Sequence, residues 1–139
     1  MAKRCETFDH TADVGLAAEA DTRAELFEAL AEGLAEVICP RRRVAAAGRR
    51  ELRVEAEDVE ALAVDFLSEV LAVIQDERFL VAAVAVSEAG DTAVTARLAG
   101  EPYDPGRHEL AAEVKAVTYH QLKIARRRGR WTGRVILDL

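Results

Sequence analysis

The chain has 139 residues, 50% hydrophobic and 32% charged, with a formal net charge of -6. That length fits a single domain, 1–139, that can bury a core without disulfide or metal staples, and the balance is that of a soluble globular protein. The acidity disfavours a surface that grips nucleic acid over its whole extent, because phosphate contacts supply most of such affinity.

Residues 5–20 read as two short strands, with the run His10-Thr11-Ala12-Asp13 between them. Asp21-Thr22 opens a helix, and Thr22 and Glu25 have the spacing of a capping box. Leu26, Phe27, Leu30, Leu34, Val37 and Ile38 form its apolar face. Glu25, Glu28, Glu32 and Glu36 line a second face, expected to be solvated. The helix should stop at Cys39-Pro40, because a residue before proline avoids helical geometry. An Arg/Ala loop follows to Gly48, its arginines expected in solvent. Leu52, Val54 and Ala56 then alternate with charged residues, the period of a half-exposed strand.

Asp58 is placed to cap a second helix. Val59, Leu62, Ala63, Phe66, Leu67, Val70, Leu71 and Ile74 recur at helical spacing along it. Residues 79–86 and 94–99 read as a hairpin joined through Glu88-Ala89-Gly90-Asp91. A loop from Gly100 to His108 follows, and residues 114–124 and 131–137 complete a second hairpin across Arg128-Gly129-Arg130. The simplest assembly is an α+β two-layer sandwich, two amphipathic helices packed on one largely antiparallel sheet.

Two cysteines, Cys5 and Cys39, form no Cys-x-x-Cys pair, so a cysteine-type zinc site is not expected. The segment Met1-Ala2-Lys3-Arg4-Cys5-Glu6 lacks the apolar core of a signal peptide, and no apolar run is long enough to cross a bilayer. The expectation is a cytoplasmic protein with free thiols and no membrane contact.

The chemistry concentrates at the two ends. Asp13, just before Val14-Gly15, is either a turn aspartate bonded to nearby amides or a ligand for a hard cation such as calcium or magnesium. Asp138 follows the apolar run Val135-Ile136-Leu137 and neighbours the carboxylate of Leu139. The two charges either fray into solvent or are neutralised by a cation, with Leu139 giving backbone oxygen while its side chain packs beneath. Spacing alone does not show that Asp13 and Asp138 meet.

His10 can orient the turn, act as a base or bind metal, and a structural role is the commonest of these. His108 is expected to be exposed, whereas His120 shares the parity of Leu122 and Ile124 and is expected on the core side. Lys115, between Val114 and Ala116, either points outward by alternation or leans over an acidic site or a partner's phosphate. Ser68 and Ser87 lack a nucleophile's context, no Gly-rich phosphate loop is present, and no catalytic residue is assigned.

Three segments carry a resemblance: Asp9-His10-Thr11-Ala12-Asp13-Val14-Gly15, Glu113-Val114-Lys115-Ala116-Val117-Thr118-Tyr119-His120, and Val135-Ile136-Leu137-Asp138-Leu139. With Gly100-Glu101-Pro102-Tyr103-Asp104 and Arg107-His108-Glu109 between them, the ordered set closely resembles the archease family. The resemblance implies a cytoplasmic α+β protein that binds a divalent cation through Asp13, Asp138 and the backbone oxygen of Leu139, with His10 and Lys115 nearby. It implies an accessory protein of RtcB-type RNA ligases rather than an enzyme, promoting guanylylation and repeated turnover in tRNA splicing or RNA repair, with RNA contacted only indirectly. The run from Arg41 to Arg50 matches no family motif.

Two rival functions remain. One is a chaperone or specificity modulator of another tRNA-processing enzyme, such as an RNA methyltransferase. The other is a metal-dependent hydrolase, for which His10 is the only nearby base in sequence.

Overall fold

The computed structural model describes residues 3–10 and 13–139, with Asp9 and His10 described by backbone alone. Its strands are β1 (Arg4–His10), β2 (Asp13–Ala20), β3 (Gly48–Glu55), β4 (Phe79–Ala89), β5 (Ala93–Pro102), β6 (Ala116–Arg127) and β7 (Arg130–Asp138). Its helices are α1 (Arg23–Ile38) and α2 (Val59–Asp76), with a single 3-10 turn at Arg41–Arg43. The α+β class and the two helices packed on antiparallel strands are as expected. The expected single sheet is two: a four-stranded sheet in the order β1-β2-β7-β6, and a three-stranded sheet in the order β3-β5-β4. Strand patterns in sequence reveal which face is buried but not which strands share a ladder. Here β2 pairs with β7 from the far end of the chain.

Both helices start where their caps dictate. Glu25 N–H donates to Thr22 Oγ1 at 3.1 Å, and Ala61 N–H donates to an Asp58 carboxylate oxygen at 2.8 Å. Each bond satisfies an amide that has no partner within the helix. α1 ends at Cys39, immediately before Pro40. Leu26, Phe27, Leu30 and Leu34 of α1 and Leu62, Phe66, Leu67 and Val70 of α2 are wholly buried. Phe27 and Phe66 meet edge to face, with ring centroids 5.6 Å apart. From the four-stranded sheet, Leu16, Ala18, Ala20, Val135 and Leu137 face this core.

The glutamate face of α1 is not simply solvated. β4 is an edge strand, and an edge leaves backbone groups unpaired. Glu32 and Glu28 accept the amides of Val84 and Val86 at 3.0 and 2.8 Å. Lys3 bridges the same two carboxylates at 3.1 Å each. Arg41 is likewise drawn in rather than solvated, its guanidinium donating to the Ala82 carbonyl at 2.8 Å. Side chains from three segments thus close the exposed side of β4. Sequence spacing could not reveal this, because the partners lie up to 58 residues apart.

Candidate metal centre

Asp13 opens β2 and Asp138 closes β7, and the antiparallel register sets them directly opposite each other. On the other side of β7, Ala116 pairs with Asp138, and Lys115 N–H donates to the Asp138 carbonyl at 2.7 Å. The register between β1 and β2 pairs His10 with Asp13 through the backbone. The three segments singled out in sequence therefore converge on one end of the four-stranded sheet.

Side chains alternate along a strand. With Leu16, Val135 and Leu137 facing the core, Asp13, Gly15, Ile136 and Asp138 share the outer face. Directly opposed residues of antiparallel strands have Cα atoms about 4.5–5.5 Å apart, and like charges so placed are destabilising. Asp13 and Asp138 are both half-buried, so water screens that repulsion only in part.

An aromatic patch bounds the pair along the strands. Phe8 lies opposite Gly15, where a Cβ would come within 1.9 Å of the ring, so the glycine makes room for it. Arg134 stacks on the other side of Phe8, its guanidinium carbon 3.9 Å from the ring centroid. Ile136, 1% exposed, is buried in this outer layer and does not belong to the main core.

Lys115 is exposed and lies just ahead of β6, so it does not interrupt a strand as its apolar neighbours imply. A carboxylate hub holds the segment leading to it. His108, expected in solvent, is 3% exposed. Its Nδ1 accepts the Asp104 amide at 2.9 Å, which leaves the proton on Nε2 to be donated to Glu101 at 2.9 Å. Glu101 also accepts the Ala45 amide at 2.8 Å and two guanidinium bonds from Arg107 at 2.8 and 2.9 Å. The Ala45 amide, followed by His108 and Arg107, pulls the Glu101 carboxyl down to about 2 against its burial. Beyond this hub, Ala111 N–H donates to the Ile38 carbonyl at 2.8 Å, and Gln75 donates to the Val114 carbonyl. Between them opens a cleft of about 770 Å³, lined in part by Arg78, Tyr103, Leu110 and Lys115.

Sequence reasoning passed over Glu101 and His108 as site-shaping residues. The available signal was the Glu101-to-His108 spacing around a Pro- and Gly-bearing loop, which allows a side chain to fold back on the strand it leaves.

His120 is another correction. It is exposed, because the register of β6 slips between Thr118 and Lys123 and Gln121 adopts a φ of 55°. That bulge cancels the parity that links His120 to Leu122 and Ile124. The His10 side chain lies outside the described residues. Leu139 is partly buried and packs against the core, holding the chain end beside Asp138. Both cysteines are free, and burial raises the Cys5 thiol to about 11.

Among the described residues no group of three or more His, Cys, Asp or Glu side chains is disposed to hold a metal ion. The donors at this end are two carboxylates held together by strand pairing and the terminal residue beside them. That set matches a hard divalent cation in an open, largely hydrated sphere. It does not match a structural zinc site, which four ligands, mostly cysteine and histidine, close into a tetrahedron.

Residues 5–139 match the model of the archease protein family. The chain is 40% identical over 143 residues to the protein archease of Pyrococcus abyssi, spanning 99% of each. It is 39% identical to that of Thermococcus gammatolerans, again over 99% of each. The solution structure of Methanobacterium thermoautotrophicum protein 1598 superimposes with a TM-score of 0.81 at 35% identity, covering 97% of this chain and 98% of that one. The crystal structure of an archease, possible chaperone, from Thermotoga maritima shares the fold, with a TM-score of 0.58 at 20% identity and 96% of each chain covered.

Proposed function

The chain belongs to the archease family, and from that premise we propose that it is a cytoplasmic, metal-binding accessory protein that activates an RtcB-type RNA ligase in tRNA splicing or RNA repair. The observation that supports this reading most is the register that sets Asp13 opposite Asp138 at the chain end. Like charges set face to face repel, and a cation between them would relieve that repulsion. Asp13, Asp138 and the backbone oxygen of Leu139 would hold calcium or magnesium. Such an ion, when bound, supplies positive charge with coordination positions left open.

The chain's own residues define how this end meets a partner. The backbone of Lys115 fixes Asp138 through its amide, and its exposed side chain lines the neighbouring cleft, where it would offer a contact for an anionic group. Phe8, Gly15 and Ile136 form an apolar flank beside the pair. A partner docked over this end would meet a carboxylate pair with Leu139 beside it. With no nucleophile or general base assigned, this chain's contribution is to bias the ligase toward accepting guanosine nucleotide and turning over repeatedly.

The test is multiple-turnover RNA ligation by an RtcB-type ligase from the same source, with wild type and Asp138→Ala. Stimulation by wild type alone supports the reading. Equal stimulation by the folded variant removes the carboxylate pair from the mechanism. A second reading, chaperone or specificity modulator of another tRNA-processing enzyme such as an RNA methyltransferase, draws on the description of the Thermotoga maritima protein as a possible chaperone. Capture from native extract separates the two by the enzyme recovered.

A further inference from the structure

The outer face of the four-stranded sheet changes character from one end to the other. At one end stand Asp13 and Asp138. Four residues along, Lys123 of β6 pairs with Arg134 of β7, and four further along Arg127 pairs with Arg130. A shallow depression of about 300 Å³ has Arg4, Glu6, Glu19, Lys123, Arg127 and Arg134 as its charged lining. Residues 114–137 hold seven of the chain's 19 Lys and Arg and none of its 25 Asp and Glu. In a protein of net charge -6 that is a strong local inversion of sign.

These cations are not absorbed equally by the fold. Arg4 is paired with Glu6 and Glu19, and Arg130 with Glu19 and Asp21. Lys123 and Arg127 have no carboxylate partner among the described residues, and Arg134 lies flat on Phe8. From Lys123 to Arg127 the strand rises about 13 Å. β6 is the sheet's edge strand, and its bulge opposite Val135 throws out Tyr119, which is 59% exposed. A bulge with a left-handed residue such as Gln121 re-aims side chains that regular pairing would fix.

We infer that this basic half of the sheet's outer face, with Tyr119 on its edge, binds a short segment of single-stranded RNA. Lys123, Arg127 and Arg134 take successive phosphates, and the Tyr119 ring offers a platform for one base. Cations tracking a backbone beside an exposed aromatic ring are the combination that holds single strands without reading sequence. A protein partner fits less well. Stable protein interfaces have an apolar centre, and the only exposed large hydrophobics among the described residues are Tyr119 here and Leu110 in the separate cleft. This inference concerns the chain and RNA alone, so it stands or falls apart from ligase activation.

Fluorescence anisotropy with a labelled single-stranded oligouridine tests it, on the full chain at low and moderate salt. Wild type should bind, with a log-log salt dependence of about 0.7 per phosphate contact. The triple variant Lys123→Gln, Arg127→Gln, Arg134→Gln should weaken binding at least tenfold, a change of about 1.4 kcal/mol. Lys123→Gln alone, at an exposed and unpaired position, keeps the test valid should the triple variant fold poorly, and should weaken binding measurably. Tyr119→Ala should weaken it about fivefold. Arg42→Gln with Arg49→Gln, outside this face, should leave binding unchanged. No binding by wild type at low salt overturns the inference and assigns the face to an acidic protein surface. Equal loss in the Arg42, Arg49 control, or equal binding of polyphosphate with no effect at Tyr119, overturns it in favour of diffuse attraction to any polyanion.

Discussion

Glu101 and the Asp13/Asp138 pair are two ways of placing carboxylate charge in one small protein. Glu101 is 5% exposed and accepts bonds from a backbone amide, an arginine and a histidine. Asp13 and Asp138 are half-buried and face each other across a strand pair. The first charge is met within the fold and stabilises it. The second sets like charge against like charge across one strand pair, an arrangement that by itself is destabilising. A saturated carboxylate marks architecture, and an opposed pair is where the proposed cation would act.

Acid should weaken the first arrangement. The folded pKa of Glu101 is depressed to about 2 from an ordinary 4.5, so the stability it contributes is fully present above pH 4.5 and is lost as pH falls toward 2. Denaturant unfolding followed across that window should show stability falling with acid, and Glu101→Gln should flatten the fall. An unchanged slope in the variant would mean that other carboxylates carry the acid sensitivity. At neutral pH, His108→Ala should reduce stability by about 1–3 kcal/mol, the cost of leaving a buried acceptor and amide without their partner. Any loss of ligase stimulation should then track unfolding, since His108 reaches Lys115 only through the loop it anchors. A stimulation defect at full folded population would give the hub a direct role.

The Glu28 and Glu32 carboxylates sharpen the contrast by resembling Glu101 on the surface of a helix. Glu32→Gln retains an acceptor for the Val84 amide but weakens it and removes the ion pair with Lys3. The expected loss is about 1 kcal/mol in denaturant unfolding. Glu32→Ala should lose more and leave the β4 edge available for association. Light scattering that stays flat in the alanine variant would show that the edge needs no such cover.

How far the sequence carried the fold follows from the same distinction. Periodicity and caps located both helices, because Thr22, Asp58 and the apolar stripes act within a few residues. The strands were also legible, but their division between two sheets was not, since ladder partners such as β2 and β7 are over a hundred residues apart. The carboxylate pair was visible as two candidates at opposite ends, and only the ladder brings them together. The burial of His108 is invisible in sequence because it is set by Glu101 and Asp104 folding around it. His120 was misread because a bulge at Gln121 reset a parity that unbroken alternation would have kept. Arg41 and the α1 glutamates look solvated in sequence because their partners are backbone groups of a distant edge strand.

The smallest predicted effect carries the most information about the site, because its sign is opposite to the others. Asp138→Asn removes one of two opposed charges while keeping side-chain shape, and the Asp138 backbone bond to Lys115 is untouched. With chelator present the variant should be more stable than wild type, by about 0.2–1 kcal/mol, the usual range for a cross-strand charge pair. Added calcium or magnesium should reverse the order. A ligand that binds the folded state stabilises it in proportion to the logarithm of its excess over Kd, and the variant has lost a ligand for it. Thermal unfolding of both proteins with chelator and with each cation gives six curves, and the crossing of their order is the prediction. If Asp138→Asn destabilises the chelated protein, the carboxylate is architecture like Glu101, and the cation reading loses its physical reason.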